Sequence, residues 1–529
     1  MVEEILIKKG KIIDGTGNPW YLADIRIKKG MITKISSNLR AELDETIVID
    51  ANGLVVSPGF IDVHSHADIS LNYDTKLECL AQQGITTIVV GNCGMSHAPI
   101  NPEKDEYFRK SFEVERQIPW HTFKEYLHIL ENQGSSLNVV PLVGFGIVRR
   151  SVLEDAPRSP SKKELKQMQS YVEEAMQAGA FGISTGLIYP PQTNAKTREI
   201  IECAKIAGKY GGLYFSHMRD EADHVLEAIK ELIRIVEKSR CRSGQISHIK
   251  VAGPLNWGKG IEMLQLIEEA NDRGLIIRAD QYPYKRGMNS LKDSLPDWAK
   301  EGGNEEIIQK LQDSKSREKI KEDMEERFNN TKMSWDKIFV ASQRTDKWRD
   351  IEGLSVSEIA KMKQSSSEFD IFCEILIDNQ ARVEQITEYG NEDDVKTLMK
   401  SRFTMIGTDG WSVPMGSGKP HPRFYGTYPR ILGKYVREEN VLSLENAIRK
   451  MTSFPAQTLG LLNRGLVREG MWADIVIFNP ETIIDKATYI DPHQYPDGIH
   501  YVIINGEIVV ANKQHTLAKP GKILRRNSP

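Results

Sequence analysis

The segment PGFIDVHSHAD, residues 58–68, places two histidines directly after a short apolar run. The run and the Pro58-Gly59 pair before it are typical of a short buried strand. Because residues two apart on a strand point to the same face, His64 and His66 can reach one metal ion. An isolated His-x-His is more often an ordinary hydrogen-bonded pair. Here further ligand-type residues at the ends of later strands favour the interpretation that the two histidines bind a metal ion.

Composition excludes several classes of protein. The chain has 529 residues and a net charge of -3, with no basic cluster beyond a terminal Lys522, Arg525 and Arg526, so neither nucleic acid nor a membrane surface is expected as a partner. The first ten residues lack the features of a signal peptide, and the five cysteines show no disulfide or Cys-x-x-Cys spacing. We therefore expect a cytoplasmic protein. Its oligomeric state stays open.

Both ends of the chain carry short runs of alternating apolar residues separated by turn signals such as Asp14-Gly15 and Lys29-Gly30. This pattern is typical of β-hairpins. Similar runs recur between residues 472 and 510. The sequence therefore predicts a small β-sandwich built from residues 1–57 and 462–529.

Strand and helix patterns alternate through the middle of the chain, residues 58–461. The predicted strands cover residues 59–63, 86–90, 138–144, 182–185, 213–216, 245–249, 275–280 and 404–408. Amphipathic helices fall between them, for example at 161–178 and 223–239. Eight such units predict an α/β fold, a (β/α)8 barrel of the TIM type, whose active site lies at the carboxyl ends of the strands.

The unit after the seventh strand is too long for a simple connection. Residues 285–345 are charged and helical, with a further strand predicted at 338–341. Long excursions in a compact domain are usually functional, so we interpret this one as an inserted lid or subdomain over the barrel mouth. A decorative surface insertion is the alternative.

Ligand-type residues stand at the ends of further strands. Cys93 follows the second strand, His217 and His248 end the fifth and sixth, and Asp409 ends the eighth. A buried cysteine is usually inert and an aspartate often caps a helix. Here their shared position beside the His-x-His pair favours metal binding, with Asp409 also exchanging protons with water.

Together these residues resemble the amidohydrolase superfamily, and most closely its D-aminoacylase (N-acyl-D-amino-acid deacylase) family. The supporting stretches are GNCG at 91–94, SHMRDE at 216–221, SHIK at 247–250, DQYPY at 280–284, GTDG at 407–410 and HPR at 421–423. The resemblance implies zinc-dependent hydrolysis of the N-acyl amide bond of N-acyl-D-amino acids. The substrate is then a small molecule, and the products are a carboxylate and a free D-amino acid.

The resemblance also assigns residues. It implies that Cys93, His217 and His248 hold a tight zinc ion, while His64, His66 and Asp409 line a weaker second metal position. Many amidohydrolases bridge two metals with a modified lysine on the fourth strand, but residues 181–186, FGISTG, contain none. Cys93 is the natural replacement, and one thiolate with two imidazoles suits a catalytic zinc site.

Four residues are candidates for substrate binding. The resemblance implies that Lys250, Tyr282 and Arg423 bind the substrate carboxylate. Lys250 lies two positions after His248, which on an extended segment places both side chains on the same side. Ordinary surface ion pairing is the alternative, more so for Arg423. Tyr189, after the fourth strand, either supports the tetrahedral intermediate through its hydroxyl or only packs.

Two other functions are considered. A cyclic-amide hydrolase of the dihydroorotase or hydantoinase kind shares the barrel and the His-x-His pair but usually carries the strand-four lysine missing here. A metal-free scaffold on the same barrel is disfavoured because every ligand position is filled. The preference for D over L substrates rests on the resemblance alone, and the side chain and acyl group stay open.

Overall fold

The computed structural model describes residues 4–112 and 117–526. Its strands are, in chain order, β1 (Glu4–Ile12), β2 (Tyr21–Lys28), β3 (Met31–Ser36), β4 (Ile47–Asp50), β5 (Val55–Pro58), β6 (Phe60–Asp62), β7 (Ile85–Val90), β8 (Asn138–Pro141), β9 (Val143–Gly144), β10 (Gly182–Gly186), β11 (Leu213–His217), β12 (Gly244–Ile246), β13 (Ile277–Gln281), β14 (Arg286–Ser290), β15 (Ile338–Ser342), β16 (Glu384–Glu388), β17 (Thr404–Ile406), β18 (Ile475–Phe478), β19 (Ile499–Ile504), β20 (Glu507–Ala511) and β21 (Gln514–His515).

The α-helices are α1 (Asp68–Leu71), α2 (Glu78–Ala81), α3 (Asp105–Phe112), α4 (Phe123–Gln133), α5 (Phe145–Leu153), α6 (Lys162–Ala178), α7 (Thr197–Lys209), α8 (Val225–Ser239), α9 (Gly260–Asp272), α10 (Asp297–Lys300), α11 (Gly303–Gln312), α12 (Ser314–Thr331), α13 (Val356–Met362), α14 (Glu368–Asp378), α15 (Glu392–Lys400), α16 (Arg423–Arg430), α17 (Leu444–Met451) and α18 (Ser453–Leu459). A π-helical segment, Ile431–Glu438, continues α16. Among the described residues, no helix has the length and apolarity needed to span a membrane.

The central strands confirm the predicted (β/α)8 architecture. Six parallel strands pair in the order β9-β10-β11-β12-β13-β17, and three more pair as β6-β7-β8. Because only Leu142 separates β8 from β9, these two short strands together form the third barrel strand. Beyond β6 and β17, the Asp409 amide donates to the His64 carbonyl at 2.7 Å and the His66 amide to the Gly410 carbonyl at 2.8 Å. These bonds join the first strand to the eighth.

The two chain ends build one β domain. Strand β5 pairs antiparallel with β18, so the order β21-β20-β19-β18-β5-β1-β2-β3 joins both termini, and β4 pairs with β1. The apolar core of this sheet is mostly isoleucine and takes alternate residues over parts of two strands, Ile5 and Ile7 on β1 and Ala23, Ile25 and Ile27 on β2, as the alternating sequence pattern predicts. The domain therefore forms a continuous sheet across the ends of the chain.

The excursion after β13 is longer than the predicted 285–345. Its antiparallel sheet has the order β14-β16-β15, and β16 ends at Glu388. A separate apolar core runs from Leu291 to Val383 and includes side chains of α13 and α14. These later elements complete the core of the insertion, which is why the segment does not return to the barrel at residue 345.

Candidate metal centre

The six proposed ligands meet at the carboxyl ends of the barrel strands, and all six are buried. Three of them have left-handed backbone conformations: Cys93 with a φ of 53°, His248 with 35° and Asp409 with 51°. Such conformations cost about 1–3 kcal/mol for residues other than glycine, and they concentrate at functional sites. Here they lie two or three residues after the ends of β7, β12 and β17, where the chain turns away from the barrel.

The Cys93 sulfur lies among three imidazoles. Its Sγ is 3.4 Å from His64 Nε2, 3.8 Å from His217 Nδ1 and 3.6 Å from His248 Nε2. Two ligands of a tetrahedral zinc ion, one sulfur and one nitrogen, stand about 3.5 Å apart if the usual bond lengths are assumed. The spacing of these side chains therefore fits a zinc ion.

Asp409 extends the donor set on one side. Its Oδ1 lies 3.5 Å from His64 Nε2 and 3.3 Å from His66 Nε2. The groups His64-Cys93-His248 and His64-His66-Asp409 each place their donor atoms within 4.8 Å of one another. Because His64 belongs to both groups, the sulfur and the carboxylate border one continuous cluster.

The electrostatics of the cluster favour the form of cysteine that binds metals. Burial raises the pKa of the Cys93 thiol, but the charge of His64 and the hydrogen bonds from the neighbouring imidazoles outweigh burial and hold that pKa well below its usual range. The other four cysteines are also buried, and burial raises the pKa of each. Since the thiolate is the metal ligand, Cys93 is distinguished from them by its surroundings.

Two carboxylates to which the sequence analysis gives no role face the ring nitrogens that point away from Cys93. We call these the outer nitrogens and the ones that face Cys93 the inner nitrogens. Asp280 Oδ1 lies 3.3 Å from His64 Nδ1 and accepts the His248 amide at 2.7 Å. Glu221 lies 3.1 Å from His248 Nδ1 and 3.5 Å from His217 Nε2. Their only signal in the sequence is position: Asp280 is near the end of the seventh barrel strand, and Glu221 is four residues after His217.

Lys250 reaches the cluster by a different route from the one predicted. Strand β12 ends at Ile246 and His248 is left-handed, so the segment is not extended there. The turn nevertheless brings Lys250 Nζ to 2.7 Å from His248 Nδ1 and 2.5 Å from Glu221. The hydroxyl of Tyr282 forms a hydrogen bond of 2.6 Å with the hydroxyl of Tyr389. Tyr389 follows β16, and the sequence analysis does not single it out.

Arg423 is not a surface residue, so the surface ion-pair alternative is wrong for it. Its side chain is 2% exposed, and its Nη1 lies 2.8 Å from Asp409 Oδ2. The guanidinium also stacks over the Tyr282 ring at 4.8 Å. The ring of Tyr189 meets His217 edge to face, with centroids 5.0 Å apart. All four proposed substrate residues therefore border the ligand cluster or contact a residue that does.

The sequence model of the Amidohydrolase family matches residues 47–268 and 348–510, more than half of the chain. The chain belongs to this family. The break in the match, residues 269–347, contains the first part of the inserted domain and the strand β13 before it. The amidohydrolase match therefore covers His64, Cys93, His217, His248 and Asp409.

This amidohydrolase has similar relatives along its whole length. The D-aminoacylase of Alcaligenes xylosoxydans xylosoxydans is 33% identical and covers 99% of this chain and 98% of its own. The N-acyl-D-aspartate deacylase of the same organism is 32% identical, with 98% and 95% covered. The crystal structure of the Bordetella bronchiseptica N-acyl-D-glutamate deacylase, complexed with zinc and a phosphonate inhibitor that mimics the tetrahedral intermediate, has a TM-score of 0.83 at 31% identity and covers 99% of this chain and 100% of that one.

The Cys93→Ala variant tests the sulfur as a ligand. The substitution removes the sulfur donor from the ligand cluster. We therefore expect the purified variant to lose tightly held zinc, measured by elemental analysis after dialysis. Cys241→Ala is the matched control, because Cys241 is also buried but its sulfur contacts only the Ala204 carbonyl in the bonds that the structure describes. Equal zinc content in wild type and Cys93→Ala would contradict the assignment.

Proposed function

We propose that this amidohydrolase is a zinc-dependent deacylase that cleaves N-acyl-D-amino acids into a carboxylate and a free D-amino acid. The observation that carries the proposal is the Cys93 sulfur held 3.4–3.8 Å from three imidazole nitrogens, with Asp409 beside them. The three similar proteins support the substrate class, since each is named for the deacylation of D-amino acids and matches the full length of this chain.

The donor set suggests where metal would bind. As the resemblance implies, Cys93, His217 and His248 would hold a tight zinc ion, and the Cys93 sulfur contacts a ring nitrogen of each histidine. His64, His66 and Asp409, whose donor atoms lie within 4.8 Å of one another, would line a second, weaker position. Zinc bound there would polarise the scissile carbonyl and lower the pKa of water toward about 7. The roles proposed below for Asp409, Arg423 and Tyr189 do not require a metal ion in the weaker position.

Asp409 is the proton carrier in this proposal. Burial raises the pKa of its carboxyl, but the Arg423 guanidinium and the nearby imidazoles outweigh burial and hold that pKa well below its usual range. Asp409 is therefore a carboxylate at neutral pH. Its Oδ1 faces the imidazoles while Oδ2 binds Arg423, so Oδ1 takes the proton of the attacking water and later gives it to the departing amine.

The substrate carboxylate would bind on the Arg423 side of Asp409. Arg423 and Lys250 supply positive charge there, and Tyr282 lies between them, under the guanidinium and 5.8 Å from Lys250 Nζ. A guanidinium can bind a second carboxylate through its remaining N–H groups. In this proposal the α-carboxylate would lie beside the scissile amide and next to the proton carrier.

Tyr189 is assigned to the tetrahedral intermediate. Burial, followed by the charge of Cys93, holds the pKa of its phenol well above the usual range, so the hydroxyl keeps its proton. A protonated hydroxyl can donate a hydrogen bond to an oxyanion. The edge contact of its ring with His217 keeps the residue at the metal cluster.

The cyclic-amide alternative has less support. Residues 181–186 lack the strand-four lysine, and a thiolate stands among the histidines instead. The experiment that separates the two is a hydrolysis screen of N-acetyl-D- and N-acetyl-L-amino acids and of hydantoins, with zinc supplied. We expect turnover of the D series only. Hydantoin cleavage without deacylation would favour the alternative, and turnover of the L series alone would overturn the stereochemical assignment.

Asp409→Asn tests the proton carrier. The amide cannot accept the water proton, so we expect kcat to fall by about 10²–10⁴-fold while the zinc held by Cys93, His217 and His248 stays bound. Steady-state kinetics and zinc analysis on the same preparation measure both quantities. Full turnover in a zinc-loaded variant would remove Asp409 from this role.

Arg423→Met tests carboxylate binding and pH dependence together. Losing a charge-assisted bond should raise KM by roughly 10–100-fold. The pKa of Asp409 should also rise without its guanidinium partner, and since Asp409 acts deprotonated, the acid limb of the pH–kcat profile should move to higher pH. Arg430→Met is the control, because it removes a guanidinium from the other end of α16 that pairs with Asp485. An unchanged KM and an unmoved acid limb would contradict both roles.

A further inference from the structure

Glu221 contacts three side chains of the site. It lies in the turn after β11, and its Oε1 is 2.5 Å from Lys250 Nζ and 3.1 Å from His248 Nδ1. Its Oε2 is 3.5 Å from His217 Nε2. In both histidines it is the opposite ring nitrogen that faces Cys93, so Glu221 stands behind the two imidazoles as seen from the sulfur.

The outer nitrogens of these rings need acceptors once the inner nitrogens bind a metal. A neutral imidazole carries one proton, so metal binding at His248 Nε2 and His217 Nδ1 leaves N–H groups at Nδ1 and Nε2. His217 Nε2 is buried and has no hydrogen-bond partner among the described residues. Glu221 Oε2 faces it at 3.5 Å, within reach of a small side-chain movement.

Lys250 competes for the same space. Its ammonium is 2.7 Å from His248 Nδ1, a contact in which this nitrogen has to be unprotonated and accept a hydrogen bond from the ammonium. With a metal at Nε2, the same nitrogen becomes a donor and repels the ammonium. Glu221 then accepts hydrogen bonds from both His248 and Lys250. The N–H group of Lys250 that pointed at His248 becomes free to donate to another acceptor, because an ammonium group has three N–H bonds.

We propose that Glu221 is a positioning residue that orients His217 and His248 for the metal through their outer nitrogens and anchors Lys250 beside them. The Lys250 part rests on the proposed function, in which that lysine binds the substrate carboxylate. The histidine part depends only on metal binding. Asp280 faces the outer nitrogen of His64. It does not replace Glu221 at His248, because there it contacts the backbone amide and not the imidazole ring.

The experiment compares Glu221→Gln with Asp220→Asn. Both remove one negative charge from the same turn, but within the part of the chain that the structure describes, Asp220 accepts hydrogen bonds from the backbone amides of Ala222 and His224 and not from a ligand histidine. Zinc dissociation constants are measured on metal-stripped protein by competition with a chromophoric chelator. We expect zinc to bind about 10–100-fold more weakly to Glu221→Gln, as for lost partners of ligating histidines, and about as tightly as wild type to Asp220→Asn.

Cobalt substitution provides a spectroscopic test of the same point. The visible bands of the cobalt protein report ligand geometry, and we expect them to shift in Glu221→Gln and to stay unchanged in Asp220→Asn. If zinc affinity and spectrum match wild type in Glu221→Gln, or if both variants weaken zinc equally, the proposal is overturned.

A measurement on the wild type covers the case in which Glu221→Gln does not fold. Nitrogen-15 NMR of the histidines in the zinc-loaded protein shows which ring nitrogens are protonated. We expect protons on His248 Nδ1 and His217 Nε2, and metal bound at these outer nitrogens would overturn the proposal.

Kinetics separate this proposal from the proposed function. In Glu221→Gln saturated with zinc, Lys250 loses its anionic partner. We therefore expect the KM for N-acyl-D-amino acids to increase over the wild-type value more in Glu221→Gln than in Asp220→Asn. A wild type that binds zinc but hydrolyses no such substrate would refute the proposed function and leave the zinc results on Glu221 standing. Normal hydrolysis with unchanged zinc affinity in Glu221→Gln would refute only the positioning role.

Discussion

The contact of one buried thiolate with three buried imidazoles is the constraint on which the rest of the site depends. Cys93 is 2% exposed and His64 is 0% exposed, so neither group is solvated by bulk water. Burying such polar groups costs free energy unless each finds a partner. In the proposed function, metal bound at the cluster would supply such partners for the inner nitrogens and would offset the cost of the left-handed backbone at Cys93, His248 and Asp409.

Much of this arrangement could be predicted from the sequence because it follows from local patterns. The apolar runs mark the barrel strands, and parallel strands present their carboxyl ends on one side of the barrel. Residues such as Cys93 and Asp409, which follow β7 and β17, must therefore lie near His64. The resemblance to amidohydrolases adds Cys93 as a ligand, because residues 181–186 contain no lysine of the kind with which many of those enzymes bridge two metals.

The remainder depends on contacts that no local pattern encodes. The resemblance implies that Arg423 binds the substrate carboxylate, but only the fold shows that its guanidinium also pairs with Asp409. Glu221 is 29 positions from Lys250, and the turn that unites them contains a left-handed His248. The insertion was underestimated for the same reason, since β16 completes a sheet whose first strand begins almost a hundred residues earlier, at Arg286.

Zinc K-edge X-ray absorption of the metal-loaded wild-type protein tests the central claim most directly. The account predicts a first shell with one sulfur scatterer at about 2.3 Å and nitrogen or oxygen scatterers at about 2.0–2.1 Å. A first shell of nitrogen and oxygen alone, with stoichiometric zinc bound, would contradict it, because Cys93 would then lie outside the coordination sphere.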